Sequence, residues 1–135
     1  MNTIDAVIEK GKDGFYCIYL PDIPGLYGSG ETENDAKLDL MDNIIAAHEH
    51  VKEVKEWGDY LPLKDYSGLK YKYDLSGFFM TYNYFDVTAL ANEIGINASL
   101  MRRYKTGNAK AGKRQKQKIE NSIHEIAKKL SAVRL

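Results

Sequence analysis

Leu90-Ala91-Asn92-Glu93-Ile94-Gly95-Ile96-Asn97-Ala98-Ser99-Leu100-Met101-Arg102-Arg103-Tyr104 has the spacing of two short helices joined by a tight turn. A helix-turn-helix needs a small residue where the helices cross, and Ala91 supplies it. Four residues on, a glycine must turn the chain without steric cost, and Gly95 stands there. Leu90, Ile94, Ile96, Met101 and Tyr104 supply the apolar contacts that hold the second helix to the first. That second helix presents its N-terminal turn to the major groove of DNA. In this register Ala98, Ser99 and Arg103 face base edges, with Arg102 beside them. Arginine reads guanine O6 and N7 through two parallel hydrogen bonds. Lys105, Thr106 and Asn108 follow, where backbone phosphates lie.

Outward from this stretch, the chain stays helical. Asp86 is an N-cap for Val87, Leu90, Ala91 and Ile94, and Asn97 caps the next helix, which stops at Gly107. Ser76 is read as the cap of a short preceding helix carrying Phe79 and Tyr82. A last helix over about residues 113–130 places Ile119, Ile123, Ile126, Ala127 and Leu130 on one face. Ser131 to Leu135 alternates and is read as a final strand.

The N-terminal half has a different period. Thr3 to Lys10 alternates with Ile4, Ala6 and Ile8 on one face, and Phe15 to Leu20 is aromatic and β-branched. Asp13-Gly14 between them is a hairpin signal. Pro21-Asp22-Ile23-Pro24-Gly25 breaks the second strand, and Leu26 to Gly30 is a short third. Thr32, with Asp35 three residues on, opens a helix whose apolar stripe is Ala36, Leu40, Ile44, Ala47, His48 and Val51. Gly58 to Gly68 is loop-like, and Leu69 to Leu75 alternates as a fourth strand. The chain is therefore expected to be α+β. A β-β-β-α-β module spans residues 1–75, and an all-helical module spans 76–135.

Net charge is zero over the 135 residues, but its distribution is not. Residues 1–74 hold 8 Lys/Arg against 15 Asp/Glu, a net of −7, and residues 75–135 hold 11 against 4, a net of +7. A basic half attracts a polyanion, and an acidic half repels one or binds a basic protein. Mutual neutralisation of the halves is the plainer alternative. The single cysteine, Cys17, permits no internal disulfide and is read as a small buried strand residue. No apolar run reaches the ~18 residues of a membrane span, and the N-terminus lacks the form of a signal peptide. A cytoplasmic protein with no membrane partner is expected.

The quoted C-terminal residues resemble helix-turn-helix domains of the Cro/repressor type. Residues 3–75 resemble the HicB antitoxin module. The matching residues are Phe15-Tyr16-Cys17-Ile18-Tyr19-Leu20, Pro21-Asp22-Ile23-Pro24-Gly25, Gly28-Ser29-Gly30-Glu31-Thr32, and Asp35-Ala36, where family members commonly have Glu-Ala. The resemblance implies a ribonuclease-H-like fold that has lost catalysis, so the chain is expected not to be an enzyme. It also implies a partner, a small basic mRNA-cleaving toxin of the HicA type, and repression of the operon encoding both. An acidic surface suits a toxin that grips RNA. Asp22 and Glu31, read as lying on loops at one end of the strands, are the candidate toxin contacts. Operator recognition in two half-sites calls for a homodimer or higher even oligomer. The alternative is a stand-alone dimeric regulator whose N-terminal module serves dimerisation or sensing.

Other chemistries find less support. A two-metal nuclease needs carboxylates converging on cations roughly 4 Å apart. Asp5, Asp42 or Glu49, and Asp74 are the residues to offer, but Asp5 and Asp74 alternate with apolar neighbours, as on a solvated sheet face. His48 and His50, two apart on a helix, diverge, and with His124 they lack metal-ligand spacing. No cofactor or metal is expected. Tyr66, Tyr71, Tyr73, Tyr82 and Tyr84 are read as packing between modules or protomers rather than as a base-stacking platform.

Overall fold

A computed structural model describes residues 2–135. The chain divides into two compact units, Met1–Thr81 and Tyr82–Leu135. The first is a four-stranded mixed sheet with one long helix on it, and the second is helical, so the fold is α+β.

In the first unit β1 (Asn2–Lys10), β2 (Tyr16–Tyr19) and β3 (Tyr27–Gly30) form an antiparallel meander. Helix α1 (Glu33–Val54) follows, then a 3-10 segment (Gly58–Leu63), β4 (Tyr66–Tyr73) and α2 (Leu75–Thr81). The sheet order is β3-β2-β1-β4, with β4 parallel to β1. Alternation in β1 buries Ile4, Ala6 and Ile8, which meet Ile18 and Leu20 beside β1 and Ala36, Leu40, Ile44 and Ala47 of α1 above them. Thr32 caps α1 through its side-chain oxygen, which accepts from Asp35 N at 3.0 Å.

The seam between β3 and α1 explains the Gly28-Ser29-Gly30 spacing. A Cβ on Gly28 would lie 2.3 Å from Leu40 N and 2.4 Å from Ala36 O; one on Gly30 would lie 2.6 Å from Asp35 Cβ. Bare backbone lets the helix settle onto the edge strand. There Asp39 Oδ2 accepts from Ser29 N at 2.9 Å, and Asn43 Nδ2 donates to the Tyr27 carbonyl at 2.7 Å. These side chains satisfy outward-facing groups of an edge strand that would otherwise invite pairing with another chain.

Several expectations are corrected. The segment read as a loop over Gly58–Gly68 contains a 3-10 helix with Leu63 buried, and β4 starts at Tyr66, opposite Asn2. Pro62 hides the first, and the second is set by pairing with β1. Ser76 does not cap the following helix. That helix starts at Leu75, with Phe78 N donating to Asp74 O, and Ser76 Oγ donates to the Asp74 carboxylate. Tyr82 lies past its end. The unit boundary falls at Thr81/Tyr82 rather than 75/76 because α2 packs on β1. A Cβ on Gly77 would come 2.9 Å from Ile8 O, and Phe79 is buried. Residues 75–81 carry no charge, so the −7 and +7 partition is unchanged. The tail forms no strand; α5 (Lys113–Ser131) runs almost to the end, and Ala132 N and Val133 N bond back to Lys129 O and Leu130 O.

Cys17 is half-buried rather than enclosed, and faces Glu9 across the β1–β2 ladder. Burial, with the Glu9 carboxylate adding to it, pushes its thiol up. The thiolate is the reactive form, so the fraction available near neutral pH falls. Iodoacetamide should therefore label Cys17 more slowly in the folded chain than in urea. Equal rates would contradict this environment.

Candidate nucleic-acid interface

The second unit is built on three helices: α3 (Val87–Ile94), α4 (Ala98–Thr106) and α5. Asp86 caps α3, accepting from Ala89 N at 3.0 Å, and Asn97 caps α4, accepting from Leu100 N at 3.0 Å. Gly95 closes α3 at φ 84°, and both its N–H and that of Ile96 donate to Ala91 O at 2.9 Å. Gly107 closes α4 at φ 80°. Both glycines occupy the left-handed region that a side chain disfavours. Ala91 is wholly buried, as the crossing point requires, and Val87, Leu90, Ile94, Ile96, Met101, Tyr104 and Ile119 are buried in the same unit. The turn is further held by Lys118 of α5, whose Nζ donates to Gly95 O at 3.2 Å. A cation at the C-terminal end of a helix is favoured by its dipole.

With Met101 and Tyr104 turned inward, α4 exposes Ser99, Arg102, Arg103, Lys105 and Thr106. Ala98, placed among the base-facing residues from sequence, is half-buried; Asn108 is exposed just past Gly107. The two arginines differ. Arg102 donates from Nη1 to Thr88 Oγ1 at 3.0 Å and from Nη2 to Ser99 Oγ at 3.4 Å, so its guanidinium is tied across α3 and α4. Arg103 is exposed beside it, with its carbonyl accepting from Thr106 Oγ1 at 3.2 Å and from Ala109 N at 3.2 Å. A shallow groove runs between the first turn of α3 and α4, lined by Phe85, Asp86, Val87, Thr88, Arg102, Lys105 and Thr106. Beside the apolar Phe85 and Val87, its polar groups are a helix N-terminus, two cations and two hydroxyls, with the Asp86 carboxylate occupied as a cap.

Thr88 and Lys118 were missed in the sequence. Thr88 had a usable signal, being a hydroxyl residue in the first turn of the first helix of the motif. Lys118 had none, since its partner is 23 residues away.

In the first unit, Asp22 and Glu31 are exposed but are not neighbours. Asp22 sits in the turn joining β2 to β3, whereas Glu31 follows β3 at the far end of the same hairpin, where Gly30 pairs with Tyr16. The expectation that they share one end of the strands is overturned by the antiparallel pairing. Asp5 lies on the sheet face opposite α1 and pairs with Lys72 at 3.0 Å. His48 is stacked on Tyr66 and edge-on to Trp57, and Tyr71 lies under Lys37 Nζ at 4.4 Å. No helix among the described residues is long and apolar enough to cross a membrane.

A UPF0150 protein of Thermoplasma acidophilum is 31% identical over 51 residues, which cover 38% of this chain and 74% of that protein. No family model matches the chain. No solved structure matches it.

Proposed function

The chain belongs to the UPF0150 family, and on that premise we propose that it is an antitoxin of the HicB type that also represses its own operon. The basic unit binds operator DNA through α4. The acidic unit, a ribonuclease-H-like scaffold without catalysis, binds and neutralises a small basic mRNA-cleaving toxin of the HicA type. The observation that carries the DNA half is the exposed polar face of α4, held by two capped helices in a unit of net charge +7. The antitoxin half rests on the residue resemblance over 3–75 and on the −7 charge of the first unit.

The groove beside the first turn of α3 suits a DNA phosphate, because helix N-termini and cations both favour anions. Lys105 lines it. Lys105→Ala should weaken binding to operator and scrambled DNA nearly equally and lower the salt slope by about one phosphate contact. Fluorescence anisotropy of the whole chain on its own promoter and on scrambled DNA, at several salt concentrations, measures both. Failure of the wild type to bind promoter DNA at low salt would sink the regulator reading. If the promoter is bound but the protein encoded beside it is neither bound nor neutralised, the stand-alone regulator is correct instead.

Two half-sites require two copies, and α5 carries a seam for them. Ile119, Ile123, Ile126 and Leu130 recur along α5 at alternating four- and three-residue steps, the spacing of a coiled-coil stripe, and Val133 lies just past the helix end. Ile119 is buried within its own unit, whereas Leu130 and Val133 are 63% and 53% exposed. Leu130→Glu should convert a dimer to a monomer by light scattering at micromolar concentration. A variant of unchanged mass would place the dimer interface elsewhere.

A further inference from the structure

Helix α1 carries a second apolar stripe that its sheet does not use. Ala36, Leu40, Ile44, Ala47 and Val51 are buried against the strands, as one amphipathic face should be. On the outer side Leu38, Met41 and Ile45 are 58%, 40% and 56% exposed. Their steps of three and four align them as a single ridge. Scattered exposed apolar residues need no explanation, but a contiguous set rimmed by charge marks an interaction surface.

The rim has one sign on one flank. Asp35, Asp42, Glu49 and Glu53, at steps of seven, seven and four, form an exposed acidic row running beside the ridge. Only Glu49 of these forms an ion pair among the described residues, with Lys52 at 3.7 Å. Lys37 is held by Glu33 at 3.4 Å and by the Tyr71 ring. A second copy seated through this same face is a poor occupant, because in an antiparallel pair of α1 helices it would set one acidic row against another.

We propose that the outer face of α1 is a docking surface for a basic protein segment, one that lays an apolar ridge on Leu38, Met41 and Ile45 with a row of Lys or Arg along Asp35, Asp42, Glu49 and Glu53. This rests on the antitoxin reading only for the identity of the partner. It moves the contact from Asp22 and Glu31 to the middle of a rigid helix. Apolar contact supplies the affinity, and the charge row sets register and speeds encounter.

The test uses the full chain, isotope-labelled for amide NMR, and two synthetic stapled helical peptides. Both carry leucine at steps of three and four; one has lysine along the adjoining row and the other glutamate. The lysine peptide should bind at least tenfold tighter, shift amides of residues 38–49, and weaken as salt rises. Leu38→Ser with Ile45→Ser should abolish binding, and Asp42→Lys with Glu49→Lys should reverse the preference. These positions are exposed, and circular dichroism checks that each variant folds. Equal affinity for both peptides, shifts centred elsewhere, or no binding at millimolar concentration overturns the proposal. So does a wild-type dimer that Leu38→Ser with Ile45→Ser dissociates, which would make the occupant a second copy. None of these readouts involves DNA or a toxin, so loss of promoter binding or of neutralisation sinks the function proposed above while leaving this surface standing.

Discussion

Gly28→Ala should destabilise the N-terminal unit by about 3 kcal/mol or more, enough to leave much of it unfolded. The added methyl would meet Leu40 N at 2.3 Å, Ala36 O at 2.4 Å and Leu40 Cα at 2.7 Å. All three are backbone atoms of α1, so no side-chain rotation relieves the clash. The helix must move off β3. In doing so it loosens the Asp39–Ser29 and Asn43–Tyr27 bonds and the buried contacts of Ala36 and Leu40 together. Gly25→Ala is the control. At φ 91° it carries backbone strain, but a Cβ there meets nothing within 4 Å. It should cost only about 1–2 kcal/mol. The single tryptophan, Trp57, packs against the core of this unit and reports its unfolding by fluorescence in urea. A Gly28→Ala midpoint close to that of Gly25→Ala would show that α1 does not lie as close to β3 as described.

Arg103→Ala should lower operator affinity by about 1–3 kcal/mol and relax the preference at one base pair. Arg102 and Arg103 are adjacent on the exposed side of α4, yet their environments separate them. Arg102 spans to Thr88 and Ser99, an arrangement that fixes α4 against α3. The exposed side chain of Arg103 is one turn beyond Ser99, and it can present its fork to a guanine edge. Thr88→Val, which keeps the shape and removes the oxygen that accepts from Arg102, should reduce binding to operator and scrambled DNA together. Titration of each variant against both DNAs distinguishes the roles. An unchanged operator-to-scrambled ratio for Arg103→Ala would mean that a different side of α4 faces the bases.

Much of this architecture is local and is legible in the sequence. Caps and stops act over one helical turn. Thr32, Asp86 and Asn97 therefore marked helix starts, and Gly95 and Gly107 marked ends, within a residue or two of the structure. Period-two burial in β1 and the i, i+4 stripe of α1 are likewise written in short windows of sequence. The exposed set on α4 followed from the same periodicity, with Ala98 displaced because the first turn of the helix is half-covered.

By itself, then, the sequence determined the α+β class, the two-part charge division and the helix-turn-helix register, because each depends on residues a few positions apart. What joins distant residues was left to the tertiary structure. Tyr66 became a strand residue because β1 offered a parallel partner at Asn2, and α2 joined the first unit because Gly77 could lie against Ile8. Antiparallel pairing put Asp22 and Glu31 at opposite ends of one hairpin. Contact across 14 residues tied Arg102 to Thr88 while Arg103 stayed free of such a link. The outer ridge of α1 shows the same division. Sequence placed Leu38, Met41 and Ile45 on a helix, but only the packing of the opposite face on the sheet decided that these three would remain exposed. A helix with two apolar stripes can bury either one, and the stripe buried here is the one whose backbone at Ala36 and Leu40 lies against Gly28 of the edge strand.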